Sequence, residues 1–181
     1  MTGFSEHRIL LFLAGLIVFL AGFSQEVEPR GRDPTGVRRV EIMVPSDVAW
    51  TDTGVEVEEG DVLFFRASGQ ICLQRGNPVA YCGPDGYNVQ TLQQPIEGEN
   101  LGALIGKVYF LISVEVDEET GEEVRNEIEE MFPIGSQALV SMPIAGRLFL
   151  GINEDLVGDN EGAFRVQIII TEERRAPQTR P

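Results

Sequence analysis

The chain has 181 residues, 14 of them basic and 29 acidic, so its formal net charge is -15 at pH 7. Such an acidic surface repels phosphate backbones, which argues against a nucleic-acid partner. The only histidine, His7, lies in the N-terminal segment, and a chain without that segment would have no histidine. Ser-His-Asp triads, Cys-His pairs and His-containing zinc sites are then excluded. Chemistry based on two carboxylates stays open.

The N-terminal segment predicts export. Residues 9–23 form an unbroken apolar run directly after His7 and Arg8. Its length is typical of a signal-peptide core and is short for a membrane span, which needs roughly 20 residues. Residues 1–24 are therefore predicted to be a signal peptide, which makes the mature protein secreted or periplasmic and leaves it outside the membrane. An uncleaved N-terminal anchor is the alternative.

The remainder of the chain divides into three predicted parts. Residues 25–38 are polar and rich in Pro, Gly and Arg, which is typical of a flexible leader, and residues 173–181 have the composition of a flexible tail. Residues 39–172 are long enough to form one domain with its own core.

The pattern within this domain is repeatedly that of β-strands. Alternating and β-branched apolar residues are separated by Gly, Pro and Asp turns. The expected strands are residues 40–44, 53–58, 62–67, 103–116, 138–144, 147–153 and 163–171. The second and third are expected to form a hairpin, and residues 118–131 are either a helix or an acidic hairpin insertion. The pattern predicts an all-β sandwich or jelly roll.

Two cysteines, Cys72 and Cys82, lie ten positions apart in the numbering. In an oxidising compartment they are predicted to form a disulfide. Closing so short a loop would contribute about 2–3 kcal/mol. Two free thiols are the alternative.

The loop between the last two expected strands is rich in oxygen ligands. It carries Asn153, Glu154, Asp155, Asp159 and Asn160. Calcium takes six to eight hard oxygens from carboxylates, amides and carbonyls, and without a cation these like charges repel one another. The loop therefore predicts a calcium site, although its spacing is not that of an EF-hand. An ordinary polar hairpin loop is the alternative.

A second loop, residues 81–88, combines tight turns with Asp85 and two tyrosines. Ligand sites of sandwich proteins often lie on such loops at one end of the fold. This loop is therefore a candidate binding loop, with a plain surface turn as the alternative.

Several motifs in a fixed order resemble one known family. They are WTDTG at 50–54, EGDV at 59–62, ASG at 67–69, CGPDG at 82–86, LGALIG at 101–106, FPIG at 132–135, GRLFLGIN at 146–153 and DNEGAF at 159–164. Together they resemble the PA-IL family, the calcium-dependent galactose-binding lectins of bacteria, over most of residues 40–170.

The resemblance implies a jelly-roll β-sandwich of the galactose-binding-domain-like type with one calcium ion. Sugar hydroxyls of the ligand coordinate that ion directly in the family. The positions that match its ion ligands are the side chains of Asp159, Asn160, Asn153 and Glu154, with Asp155 as the alternative acidic ligand, and the carbonyls of Leu156 and Leu73.

The resemblance also implies a set of sugar-contacting residues. These are Asp85, Gln90, Gln93 and Asn160. Gln90 falls where the family has a sugar-contacting histidine, and Gln93 lies near its glutamine. The exchanged histidine bears on galactose specificity and leaves the ion site in place.

Sequence and resemblance together favour a secreted, non-catalytic, calcium-dependent carbohydrate-binding module. The expected cofactor is Ca²⁺ and the expected partner a carbohydrate, galactose-like on the resemblance. Oligomers would add avidity to shallow single sites. The alternative is a structural or protein-interaction β-sandwich, with calcium structural or absent. A glycosidase is the weakest hypothesis, because no carboxylate pair has a distinctive context.

Overall fold

A computed structural model describes residues 37–92, 94–116 and 121–171. Within these residues the chain forms β1 (Val37–Pro45), β2 (Trp50–Val57), β3 (Val62–Cys72), β4 (Tyr81–Cys82), β5 (Leu104–Val116), β6 (Glu123–Pro133), β7 (Gln137–Ser141), β8 (Gly146–Ile152) and β9 (Glu161–Thr171). The one helical turn among them is a 3-10 turn at Val157–Asp159. These residues include no helix with the length and apolar character that a membrane crossing requires.

The strands form two antiparallel sheets. The first has the order β1-β9-β3-β4, with β7 also paired to β3, and the second has the order β2-β8-β5-β6. All of the strand pairs run antiparallel. The prediction of an all-β sandwich is confirmed.

One apolar core lies between the sheets. Along β9 the buried residues Phe164, Val166 and Ile168 alternate with residues that face outward, which is the pattern of a strand with one buried face. The rings of Phe65 in the first sheet and Phe132 in the second lie 6.1 Å apart between centroids. Each large side chain in such a core contributes roughly 1.5–3 kcal/mol by leaving water.

The predicted hairpin between residues 53–58 and 62–67 is wrong. The strand β2 pairs with β8 in the second sheet, whereas β3 pairs with β9, β7 and β4 in the first. The intervening turn closes with a hydrogen bond of 3.0 Å from the Asp61 amide to the Glu58 carbonyl, and the chain crosses from one sheet to the other. Alternation fixes which side chains face the core, but a hairpin and a crossover bury the same ones.

Of the two alternatives for residues 118–131, the hairpin is correct where the structure describes it. Strand β6 pairs with β5 from Glu123 to Pro133, with a register shift between Leu111 and Ser113. Residues 117–120 lie outside the described residues, as do the expected signal peptide, most of the expected leader and the expected tail. The leader's last two residues, 37 and 38, belong to β1.

The predicted disulfide does not form, and Cys72 and Cys82 are both free. The register of β3 with β4 pairs Ile71 with Cys82, and Cys72 with Tyr81. The cysteines are therefore offset by one residue, which sends their side chains to opposite faces of the sheet. A disulfide needs both sulfur atoms on the same side, with the Cβ atoms about 3.8 Å apart.

The two thiols have different surroundings. The Cys72 thiol donates to the carbonyl of Gln74 at 3.0 Å, whereas the Cys82 thiol lies 3.9 Å from the carbonyl of Gly102. Both residues are buried. Burial, followed by the nearby charges of Glu154 and Cys72, raises the pKa of the Cys82 thiol to about 11.

This arrangement predicts two unpaired, slowly reacting thiols. The native protein should react slowly with iodoacetamide at neutral pH, because both cysteines are buried and the raised pKa of the Cys82 thiol leaves it little thiolate. Unfolding without reductant should then allow both cysteines to be alkylated, and intact mass measures the adducts. A mass that stays unchanged after unfolding would show that the two cysteines are bonded to each other.

Candidate functional site

A groove of about 420 Å³ lies where β3 ends and β4 begins. One side of it is built by the segment after β3, and the other by the loop between β8 and β9. Its lining is part apolar and part acidic, and includes Leu73, Tyr87, Val89, Glu154, Leu156 and Asp159. The structure thus brings together four residues from the predicted ion site, one of them from a distant part of the chain.

Asn160 does not line the groove, but it lies next to Asp159 in the chain and contacts Glu154, and both of those residues do line it. It ends the 3-10 turn and immediately precedes β9, and it is fully buried. Its Nδ2 donates to the carbonyl of Ser46 at 3.1 Å and to Glu154 Oε2 at 2.6 Å. Among the described residues, its Oδ1 is buried without a hydrogen-bond partner. A buried acceptor left in this state costs about 1–3 kcal/mol, so this oxygen is a ready ligand for a cation.

Glu154 is a half-buried carboxylate beside this amide. Burial is the largest cause that raises its pKa above the ordinary value, and the charge of Asp159 raises it further. The hydrogen bond from Asn160 acts in the opposite direction. The folded protein therefore disfavours the ionised carboxylate, and a cation in the groove would reverse this preference.

Arg75 also holds the loop between β8 and β9 in place. Its amide donates to the carbonyl of Asp159 at 2.8 Å, and its Nη2 donates to the carbonyl of Asn160 at 3.1 Å. Its guanidinium lies 3.7 Å from the carboxylate of Glu161. These bonds leave the side chains of Asp159 and Asn160 as the oxygen donors for a ligand. No sequence pattern pointed to Arg75, because its partners are backbone carbonyls far away in the chain.

The side chain of Asn153 has another role. It is fully buried, and its Oδ1 accepts from the Ile96 amide at 2.8 Å. Its Nδ2 donates to the carbonyls of Ile96 and Asn100 at 3.1 and 3.2 Å. All of these bonds tie the loop before β5 to the end of β8. Asn153 therefore acts as a structural clamp next to the groove.

The other predicted site residues stand apart from the groove. Asp155 is exposed and is not among the residues that line it. Asp85 accepts from the Ser136 amide at 2.7 Å and so holds two loops together. Gln90 is exposed and donates from Nε2 to the carbonyl of Gly98. Gln93 lies outside the described residues.

The oxygen donors fit calcium in kind. The described part of the chain has no group of three or more His, Cys, Asp or Glu side chains placed to hold a metal. Calcium, however, also accepts amide and carbonyl oxygens. Glu154, Asp159 and the unpartnered Oδ1 of Asn160 supply two carboxylates and one amide. The same set is poor for zinc, which prefers sulfur and nitrogen.

No protein-family model and no curated protein matches the chain. Among solved structures it is similar to one described as "EclA N-terminal domain; PllA-like lectin", with a TM-score of 0.51 and 20% identity. The similarity covers 75% of this chain and 98% of that one. At this identity the likeness shows a shared fold.

Asn153→Ala should test whether Asn153 is a clamp or a ligand. Loss of its bonds to the loop before β5 should lower the free energy of unfolding by about 2–3 kcal/mol. The loss should be equal in calcium and in chelator, because the side chain is committed to that loop. Urea unfolding in both conditions measures it, with the exposed Asn88→Ala as the control. If the variant is as stable as wild type in chelator but is no longer stabilised by calcium, Asn153 is a calcium ligand and not a clamp.

Proposed function

We propose that the chain is an exported, non-catalytic carbohydrate-binding module whose groove binds a saccharide with the help of Ca²⁺. The observation that carries this proposal is the buried, unpartnered Oδ1 of Asn160 beside the half-buried carboxylate of Glu154. An oxygen donor that is desolvated and left unused is energetically unfavourable unless a ligand completes it.

The groove, together with Asn160 beside it, has two parts that suit a sugar. Glu154, Asp159 and Asn160 would hold the ion, together with the carbonyls of Leu73 and Leu156 that the family resemblance implies. Bound calcium would supply open coordination positions for two neighbouring hydroxyls. The apolar side of the groove, with Tyr87, Val89 and Leu156, would pack against the less polar face of a sugar ring.

The fold also supports carbohydrate binding. The structural neighbour is described as a lectin, and the order of motifs resembles a family of calcium-dependent galactose-binding lectins. A galactose-like sugar is the expectation from that resemblance. Export is supported by the apolar run at residues 9–23, which has the length of a signal-peptide core. Export also fits the proposed function, because a cell-surface or extracellular location is where a protein meets free glycans and millimolar calcium.

Calcium should stabilise the protein through Glu154. At a hundredfold excess over Kd, a ligand that binds only the native state adds about 2.7 kcal/mol, which raises the melting midpoint of a domain of this size by roughly 5–10 °C. Glu154→Gln should lose most of this increase. In chelator at neutral pH the variant should melt no lower than wild type. Because the pKa of Glu154 is raised in the folded protein, the free energy of unfolding falls as this carboxyl ionises. A glutamine side chain at this position still accepts the hydrogen bond from Asn160 but carries no charge.

Thermal melts in chelator, calcium and magnesium provide the measurement. Asp155→Asn is the matched control, because it removes an exposed carboxylate from the same loop and should keep the full calcium response. Magnesium should stabilise the protein less, since it demands a tighter octahedron and sheds its water reluctantly. If wild type has the same melting midpoint in calcium and in chelator, the calcium part of the proposal is wrong.

Carbohydrate binding should depend on calcium and on Asp159. A glycan array probed with wild type in calcium should give signals that chelator and Asp159→Ala both abolish. Asp155→Ala should leave them intact, because that carboxylate does not line the groove. An array without any calcium-dependent signal, from a protein that calcium does stabilise, would leave a β-sandwich with a structural ion and a role in protein interaction.

A further inference from the structure

The hairpin of β5 and β6 extends beyond the rest of its sheet. Strand β8 pairs with β5 only as far as Tyr109, opposite Arg147. From there on, β5 pairs with β6 alone. We call this extension, residues 110–116 and 121–128, the arm. A two-stranded hairpin without a third strand or a packing partner is marginally stable in water.

The arm exposes many large apolar side chains. Phe110 is 47% exposed, Ile112 57% and Val116 63%. The others are Leu111, Val114, Val124 and Ile128. The register places Leu111, Val114 and Val116 on one face of the arm, and Phe110, Val124 and Ile128 on the other. Such a concentration of exposed apolar surface marks an interaction site.

The charge of the arm restricts its partner. Its described residues include four glutamates and one arginine. Two arms placed edge to edge would bring like charges into opposition, which is destabilising. An anionic membrane surface would repel the arm for the same reason. The partner must combine apolar side chains with positive charge.

The outer face of the first sheet has this combination. The strand register arranges the outward side chains of this face in three neighbouring rows. The first row consists of Arg39, Ile169, Phe64 and Leu139, and the second of Glu41, Gln167, Arg66 and Gln137. The third row consists of Met43, Arg165 and Ser68. We call these three rows the arginine face. They contain three arginines and one glutamate on a chain whose net charge is -15.

The arginine face is shaped and exposed for contact. A groove of about 530 Å³ runs across it, lined in part by Glu41, Arg66 and Arg165. Leu139 is 71% exposed and Met43 49%. The guanidinium of Arg66 lies over the ring of Phe64, 5.1 Å from its centroid, so the positive charge and the apolar surface are adjacent.

We propose that the arm of one copy of this chain docks on the arginine face of a second copy. The two surfaces complement each other in charge and in apolar character, and both are present on every chain. Because they are different surfaces, the contact is head-to-tail and builds a ring if the rotation closes and a linear array if it does not. The net charge opposes assembly only weakly at physiological salt, where charges more than about 8 Å apart are largely screened, whereas the paired charges meet in contact.

Charge reversal tests this contact. Glu123→Lys with Glu127→Lys alters the arm, and Arg66→Glu with Arg165→Glu alters the arginine face. Sedimentation of the full chain over a concentration series should show that wild type associates and that each variant associates at least about tenfold more weakly, equivalent to about 1.4 kcal/mol. The variant that carries all four substitutions should associate again, because both partners have changed sign.

The control is Asp47→Lys with Glu59→Lys, which changes the net charge as the arm variant does at two exposed turn residues. It should associate like wild type. Circular dichroism and melting confirm that each variant is folded. The proposal is overturned if wild type stays monomeric throughout, if either two-residue variant associates as well as wild type, or if the folded four-residue variant fails to recover.

Discussion

The site depends on how β9 lies against its two neighbours. This strand pairs with β1 over nine residues and with β3 over ten, and Asn160 is the residue directly before it. The pairing near that end is very close: a Cβ on Gly162 would lie 2.7 Å from the carbonyl oxygen of Gln70, and one on Gly69 would lie 2.8 Å from that of Ala163. Both glycines have positive φ, a conformation that other residues rarely adopt. The strand pairing therefore brings Asn160 to Ser46 and Glu154, and the groove forms around that contact.

Much of this architecture could be predicted from local pattern. The outward and inward alternation along β2, β3 and β9 identifies each as a strand with one buried face, and the structure confirms it. What alternation cannot supply is the partner of a strand. Val57 and Leu63 are both core residues, and they face one core from opposite sheets, whereas the sequence suggested a hairpin. The same information is missing for the cysteines, since an offset of one residue in register decides whether the two thiols share a face.

The residues predicted to hold the ion show a similar division. Composition indicated an oxygen-rich loop, and the structure places Glu154, Asp159 and Asn160 together. Composition could not separate Asn153 from Asn160, although the two amides have opposite situations. Every polar atom of the Asn153 side chain is bonded to the loop before β5, whereas the Oδ1 of Asn160 has no partner within the described residues. That difference arises from tertiary contacts with Ile96 and Ser46, which lie far from this loop in the sequence.

The single strand β5 connects the two surfaces to which we assign binding. At its start, Leu104 pairs with Ile152, one residue before the clamp at Asn153. At its end, it forms one half of the arm. A strand of thirteen residues spans about 40 Å, so within one chain the groove and the arm lie at opposite ends of the same strand. A contact made by the arm therefore leaves the groove of its own chain uncovered. For the saccharide binding that we propose, an array that repeats the groove at a fixed spacing would convert weak single-site binding into avidity without any new contact to sugar.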